Sequence, residues 1–167
     1  GFSIYALASG AASVDSVDSS RKAVDMLERN IEANREAGII PAGTKHESYC
    51  EDAIEFMRNS GDNKYDLIIV DPPAFAKHRG ALPNALRAYQ KLNAAAISRV
   101  APGGIIFTYS CSQVVDKISF AEAVFSAAAS TGRNVRILHR LTQPADHPVN
   151  IYHPEGEYLK GLVIYVE

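Results

Sequence analysis

The sequence has little cysteine, no marked excess of one charge and no long apolar run. Its two cysteines, Cys50 and Cys111, are too few for a disulfide framework or a zinc site. That count reads as a reducing compartment, the cytoplasm. No apolar run approaches the ~20 residues that a membrane span needs. No basic region precedes the apolar start, so it does not read as a signal peptide. Seventeen basic against nineteen acidic residues leave a net charge of −2. Bulk positive charge therefore gives no support for nucleic-acid binding, although a local basic patch would suffice. There is no internal repeat and no low-complexity tract. What remains is 167 residues, 47% apolar and 22% charged, the length and composition of one globular domain. The start, Gly1 to Leu7, opens abruptly on a glycine turn running into a helix. It suggests a fragment of a longer protein.

Periodicity predicts an alternation of helices and strands. Helical patterns cover 2–9, 21–37, 52–58, 82–100 and 118–129, and strands fall near 13–18, 45–49, 65–70, 104–109, 135–141 and 159–166. Ser19 and Ser20 are N-cap candidates, and Gly38 ends the second helix. The run YDLIIV over 65–70 is continuously apolar, the pattern of a strand buried on both faces. Such alternation argues an α/β fold with a mostly parallel sheet, whose last strand is expected to be antiparallel. Ligands of these sheets bind at the carboxyl edge of the strands. The chemistry-bearing residues there are Asp18, Asp52, Asp71 with the two prolines after it, and Cys111.

Each has two readings. Asp18 can accept both hydroxyls of a ribose or merely cap a helix. Asp52, in Glu51-Asp52-Ala53, can accept from an adenine amine or cap the next helix. Asp71-Pro72-Pro73-Ala74-Phe75 is the sharpest signal. Prolines straight after a buried strand stop ladder bonding and hold the chain extended. They turn carbonyls and the Asp71 carboxylate toward the cleft, where an exocyclic base amine could donate, and Phe75 offers a stacking face. The plainer reading is a rigid loop exit. Cys111, between Ser110 and Ser112, is either a nucleophile at the ligand edge or a small buried hydrophobe. Cys50 reads as structural. Lys77, His78 and Arg79, with Arg87 and Lys91 on the following helix, form a basic cluster that could hold phosphates or be a solvated face. His147 reads as structural.

The ordered set GFS, SVDSS, DPPAF, TYSCS, ADHPV and PEGEYLKG resembles the catalytic domain of the bacterial S-adenosylmethionine-dependent methyltransferases that make 5-methylcytosine in large-subunit ribosomal RNA. The resemblance covers nearly the whole chain. It implies the class I methyltransferase fold, a seven-stranded Rossmann-like sheet, with S-adenosylmethionine as cofactor and ribosomal RNA as partner. It implies that Gly1 ends the cofactor loop, that Asp18 with Ser19 holds the ribose and that Asp52 with Ala53 meets the adenine. Asp71 would border the cofactor and, with Pro72 and Pro73, grip the target cytosine beside Phe75, Lys77 and Arg79. Cys111 would be the nucleophile. The family's first strand, expected between 13–18 and 65–70, precedes Gly1, and a homo-oligomer filling that gap is one expectation. Three rivals stand beside this reading. They are a methyltransferase acting on an exocyclic amine or a guanine nitrogen, a binding module without a working cofactor site, and, more weakly, a nicotinamide-dependent enzyme whose glycine fingerprint is absent from the chain.

Overall fold

The computed structural model describes residues 1–61 and 64–167. The chain divides into two compact units, Gly1–Asn59 and Ser60–Glu167. The first contains α1 (Phe2–Ala8), β1 (Ser13–Val17), α2 (Arg21–Glu36), β2 (Lys45–Tyr49) and α3 (Ala53–Asn59). β1 and β2 pair in parallel, Ser13 opposite Lys45 and Val17 opposite Tyr49. α2 starts where a serine can satisfy an orphan N–H: Ser20 Oγ accepts from Ala23 N at 3.3 Å, as an N-cap should. It ends at Ala37, followed by Gly38 with a φ of 70°, a conformation that costs an L side chain and suits glycine. The unit's core is small. Leu7, Ile31 and Ile40 are buried, with Ile4, Val14 and Leu27 packed against them.

The second unit contains β3 (Tyr65–Val70), α4 (Leu82–Arg99), β4 (Val100–Ser110), α5 (Lys117–Thr131), β5 (Val135–Leu141) and β6 (Lys160–Val166). Its sheet has the order β3-β4-β6-β5. β3 and β4 are parallel, and β6 runs antiparallel to both β4 and β5, the direction expected of the last strand. β4 alternates buried and half-buried positions from Gly104 on, β6 is buried nearly throughout, and Ile106, Ile164 and Val166 are fully buried. Each such side chain contributes ~1.5–3 kcal/mol by leaving water. α4 and α5 pack together, and each buries small residues, Ala85 and Ala96 on one and Ala123 and Ala127 on the other. Asp116 caps α5, its Oδ1 accepting from Ser119 N at 2.7 Å. Gly161 is required in β6 because a Cβ there would stand 2.6 Å from the Tyr109 ring across the ladder.

One expectation is corrected. β3 is an edge strand, not one covered on both faces: it pairs only with β4 among the described residues, and Leu67 is 47% exposed. An apolar β-branched run favours a strand but does not decide how many neighbours the strand acquires. The described residues form the six strands expected of this chain, in sheets of two and four.

Candidate active site

In the first unit, the candidate residues sit in the turns after β1 and β2. Asp18 is exposed, and its Oδ1 accepts from Ser20 N at 2.7 Å. Its backbone N–H donates to Tyr49 O at 3.1 Å, so the ends of β1 and β2 are tied together. The Cys50 thiol donates to the Ser19 carbonyl at 3.7 Å, which supports the structural reading of that cysteine. Asp52 Oδ1 accepts from Ile54 N at 2.9 Å and Glu55 N at 3.0 Å. Asp52 is therefore the N-cap of α3, which opens at Ala53. Capping engages one oxygen in each carboxylate, so a ligand role for the other is compatible with it. Gly1 caps α1 through its carbonyl, which accepts from Ile4 N and Tyr5 N. A Cβ at Gly1 would meet no atom within 4 Å, so crowding does not demand glycine there.

In the second unit, the turn after β3 and the end of β4 are stitched together by three consecutive side chains. Ser110 Oγ donates to the phenol of Tyr89 at 2.9 Å, and that phenol is also hydrogen-bonded to the backbone of Phe75. The Cys111 thiol donates to the Pro72 carbonyl at 3.9 Å. Ser112 Oγ donates to the Ala76 carbonyl at 2.6 Å. The Phe75 ring lies 4.7 Å from that of Tyr89, and Tyr89 meets Phe120 edge-on at 5.3 Å. Tyr89 is fully buried, so α4 fixes both segments from beneath. The prolines explain the arrangement: with no N–H to give, Pro72 and Pro73 end the ladder and leave the Pro72 carbonyl facing the thiol.

These contacts border a cavity of about 330 Å³ lined by Ala74, Ala76, Lys77, Cys111, Ser112, Gln113, Val114 and Tyr158. A larger cavity of about 460 Å³ lies beside it, and Lys160 and Glu157 are among the residues lining it. It contains none of the sequence's candidate residues, so the smaller one is the candidate active site. Cys111 is half-buried in its wall and Lys77 is exposed at it. Arg79 is exposed in the short 3-10 turn Arg79–Ala81, outside the lining. Gln143 holds the far wall: its Oε1 accepts from Tyr158 N at 2.8 Å, while its Nε2 donates to the His147 carbonyl. Gln113 Nε2 donates to Glu155 O at 2.8 Å.

The electrostatics follow from burial. Asp71 retains solvent access, yet the protein around its carboxyl pushes its pKa above the ordinary carboxylate value. Burial raises Tyr89 as well, opposed by its hydrogen bonds to Ser110 and Phe75. Burial and the Asp71 charge both raise Tyr109. Lys160, 5% exposed, is lowered by burial, with Cys111 and Asp116 acting in the opposite direction.

Sequence reasoning missed Tyr89, Tyr158, Gln143 and Lys160. Tyr89 is indistinguishable from any core aromatic of α4. Lys160 lies in the quoted PEGEYLKG segment, but nothing in a sequence marks one lysine as buried.

The family described as "Conserved hypothetical protein 95" matches residues 1–136. Among curated proteins, "Ribosomal RNA large subunit methyltransferase I" of Aeromonas hydrophila is 40% identical over 167 residues, covering 98% of this chain and 41% of the relative. The chain thus spans about two fifths of the length of the curated relatives it matches. A candidate SAM-dependent methyltransferase from Streptococcus mutans superposes with a TM-score of 0.80 at 22% identity, over 99% of this chain and 41% of that one. A candidate methyltransferase crystallised with SAH gives 0.81 at 22% identity, over 99% and 42%. The fold is that of the class I methyltransferases, α/β with a mostly parallel sheet and an antiparallel last strand.

Proposed function

The chain belongs to the family described as conserved hypothetical protein 95, and from that premise we propose that it is the methyltransferase part of an S-adenosylmethionine-dependent enzyme forming 5-methylcytosine in large-subunit ribosomal RNA. The curated relatives' name supports the substrate and the reaction class. The observation that carries the cytosine assignment is the stitching of Ser110, Cys111 and Ser112 onto the Asp71–Ala76 turn. Cys50 makes the same kind of thiol–carbonyl bond, but Cys111 stands in the wall of the cavity beside the Asp71–Ala76 turn, and that position supports covalent activation of the target atom.

C5 of cytosine is a poor nucleophile. When the Cys111 thiolate forms a bond to C6, C5 becomes enamine-like. S-adenosylmethionine, when bound, supplies an electrophilic methyl on its sulfonium sulfur. Once C5 is methylated, its proton is lost to a base and the Sγ–C6 bond breaks, restoring both the aromatic ring and the thiolate. Asp71, at the end of β3, would hydrogen-bond the cytosine ring or amine and stabilise the adduct. The Pro72-Pro73 turn and Phe75 flank the base, which must leave its stack to enter. Lys77 and Arg79 supply charge for phosphates. In the first unit Asp18 and Ser19 would hold the ribose, and Asp52 and Ala53 the adenine, with Gly1 at the cofactor loop. The open oxygens of the two carboxylates suit that donor set.

The test is methylation of undermethylated large-subunit ribosomal RNA by the full-length protein, with nuclease digestion and mass spectrometry of the nucleosides. The proposal expects 5-methylcytidine. Methylated adenosine, guanosine or N4-methylcytidine in its place would transfer the assignment to the amine- or guanine-directed reading.

A further inference from the structure

Lys160 is the least expected side chain in the second unit. It begins β6, opposite Ser110 in the antiparallel ladder, and is only 5% exposed. Lysine is almost never so buried unless its charge is compensated. Among the described residues no carboxylate forms an ion pair with it. Its ammonium instead donates to the Ser112 and Val115 carbonyls, each at 2.5 Å. Both belong to the turn that begins with Cys111. Two of its three N–H groups are used, so the turn is pinned by a lysine with no carboxylate paired to it among the described residues.

We infer that Lys160 is a positioning residue for Cys111, holding the 111–116 turn closed and supplying the positive charge that favours the thiolate. The neutral thiol is held by the Pro72 carbonyl, and a carbonyl oxygen cannot stabilise a thiolate. A buried ammonium on the same turn can. The charged or titratable groups facing this corner are Asp71 and Lys77 after β3, Tyr89 on α4, Asp116 and Lys117 at the start of α5, Tyr158 before β6, and Lys160 on β6. Lys117 is already paired with Glu157, and Tyr89, Asp71 and Asp116 bring no positive charge. Lys77 also lines the Cys111 cavity but is exposed to water, which screens its charge, so Lys160 is the buried cation of this corner.

The inference rests on the proposed role of Cys111, so its test reads the thiol and not methyl transfer. The full-length protein is alkylated with iodoacetamide across a pH series, and peptide mass spectrometry separates Cys111 from Cys50. Lys160→Met should slow Cys111 alkylation at neutral pH by about tenfold and move the profile upward by about one pH unit. Lys160→Arg should restore most of the rate. A purely structural lysine predicts the opposite sign: loosening the turn would expose the thiol and speed alkylation. An unchanged or faster profile in Lys160→Met, or an Arg variant that behaves like Met, overturns the inference. Retained methylation in Cys111→Ala would instead overturn the nucleophile reading while leaving this profile interpretable.

Discussion

Replacing Tyr89 by Phe removes one oxygen atom and no ring. The aromatic contacts with Phe75 and Phe120 persist, so the cavity term is small. What is lost is the common partner of the Ser110 hydroxyl and the Phe75 backbone. Tyr89 and Ser110 are both fully buried, so water cannot readily replace that oxygen. A buried polar group left without its partner costs ~1–3 kcal/mol. We expect a destabilisation of ~2 kcal/mol, which for a chain of this length lowers the melting temperature by about 4–8 °C. Urea unfolding followed by circular dichroism measures it, as a lower midpoint with an unchanged slope. The same substitution removes one of the three ties between the Asp71–Ala76 turn and the end of β4, leaving those of Cys111 and Ser112. Methyl transfer should therefore fall while S-adenosylmethionine affinity stays within about twofold. A stability change below ~0.5 kcal/mol, the range of an ordinary surface substitution, would refute the claim that Tyr89 ties the two segments together.

Asp71→Asn should raise stability at neutral pH. The folded state raises the Asp71 pKa above 3.8, so its contribution is fully present below that value and is lost as pH climbs through the raised value. Asparagine carries no such cost, so the variant's advantage in urea midpoints should vanish below pH 3.8 and be largest near neutrality; an advantage independent of pH would contradict the burial argument. Asp18→Ala should weaken S-adenosylmethionine binding by ~1.5–3 kcal/mol, the worth of a hydrogen bond to a charged group, measured by isothermal titration calorimetry of the full-length protein. Asp18→Asn, which can still cap Ser20, should preserve stability and lose affinity. Equal affinities in all three would reduce Asp18 to a cap.

Element order and type were legible because their signals are local. Ser20 and Gly38 mark the ends of α2 by capping chemistry, and the run 65–70 is a strand by its β-branched density. The exposure of β3 was not legible, because apolar content reports strand formation and not the burial of both faces, and Leu67 is 47% exposed. The same division holds at the site. Asp71-Pro72-Pro73 announces itself, since two prolines after a strand have few structural uses. The contacts that give it meaning come from Tyr89, Ser110 and Ser112, ordinary residues until the chain folds. Asp52 shows the converse: its helix-capping role was the plainer of its two readings, and the hydrogen bonds to Ile54 and Glu55 realise it. Lys160 is invisible to pattern reasoning because a lone lysine at the start of a strand normally reaches solvent.

The central claim is that Cys111 bonds to C6 of a cytosine in ribosomal RNA. The most direct measurement uses the full-length protein, S-adenosylmethionine and RNA transcribed with 5-fluorocytidine. Fluorine at C5 leaves no proton to remove, so the Sγ–C6 bond cannot break. The account predicts a protein–RNA adduct that survives denaturing electrophoresis, maps to the peptide containing Cys111 and is absent from Cys111→Ala, which also fails to methylate unmodified RNA. Near-normal methylation by Cys111→Ala, with no trapped adduct in the wild type, would contradict it.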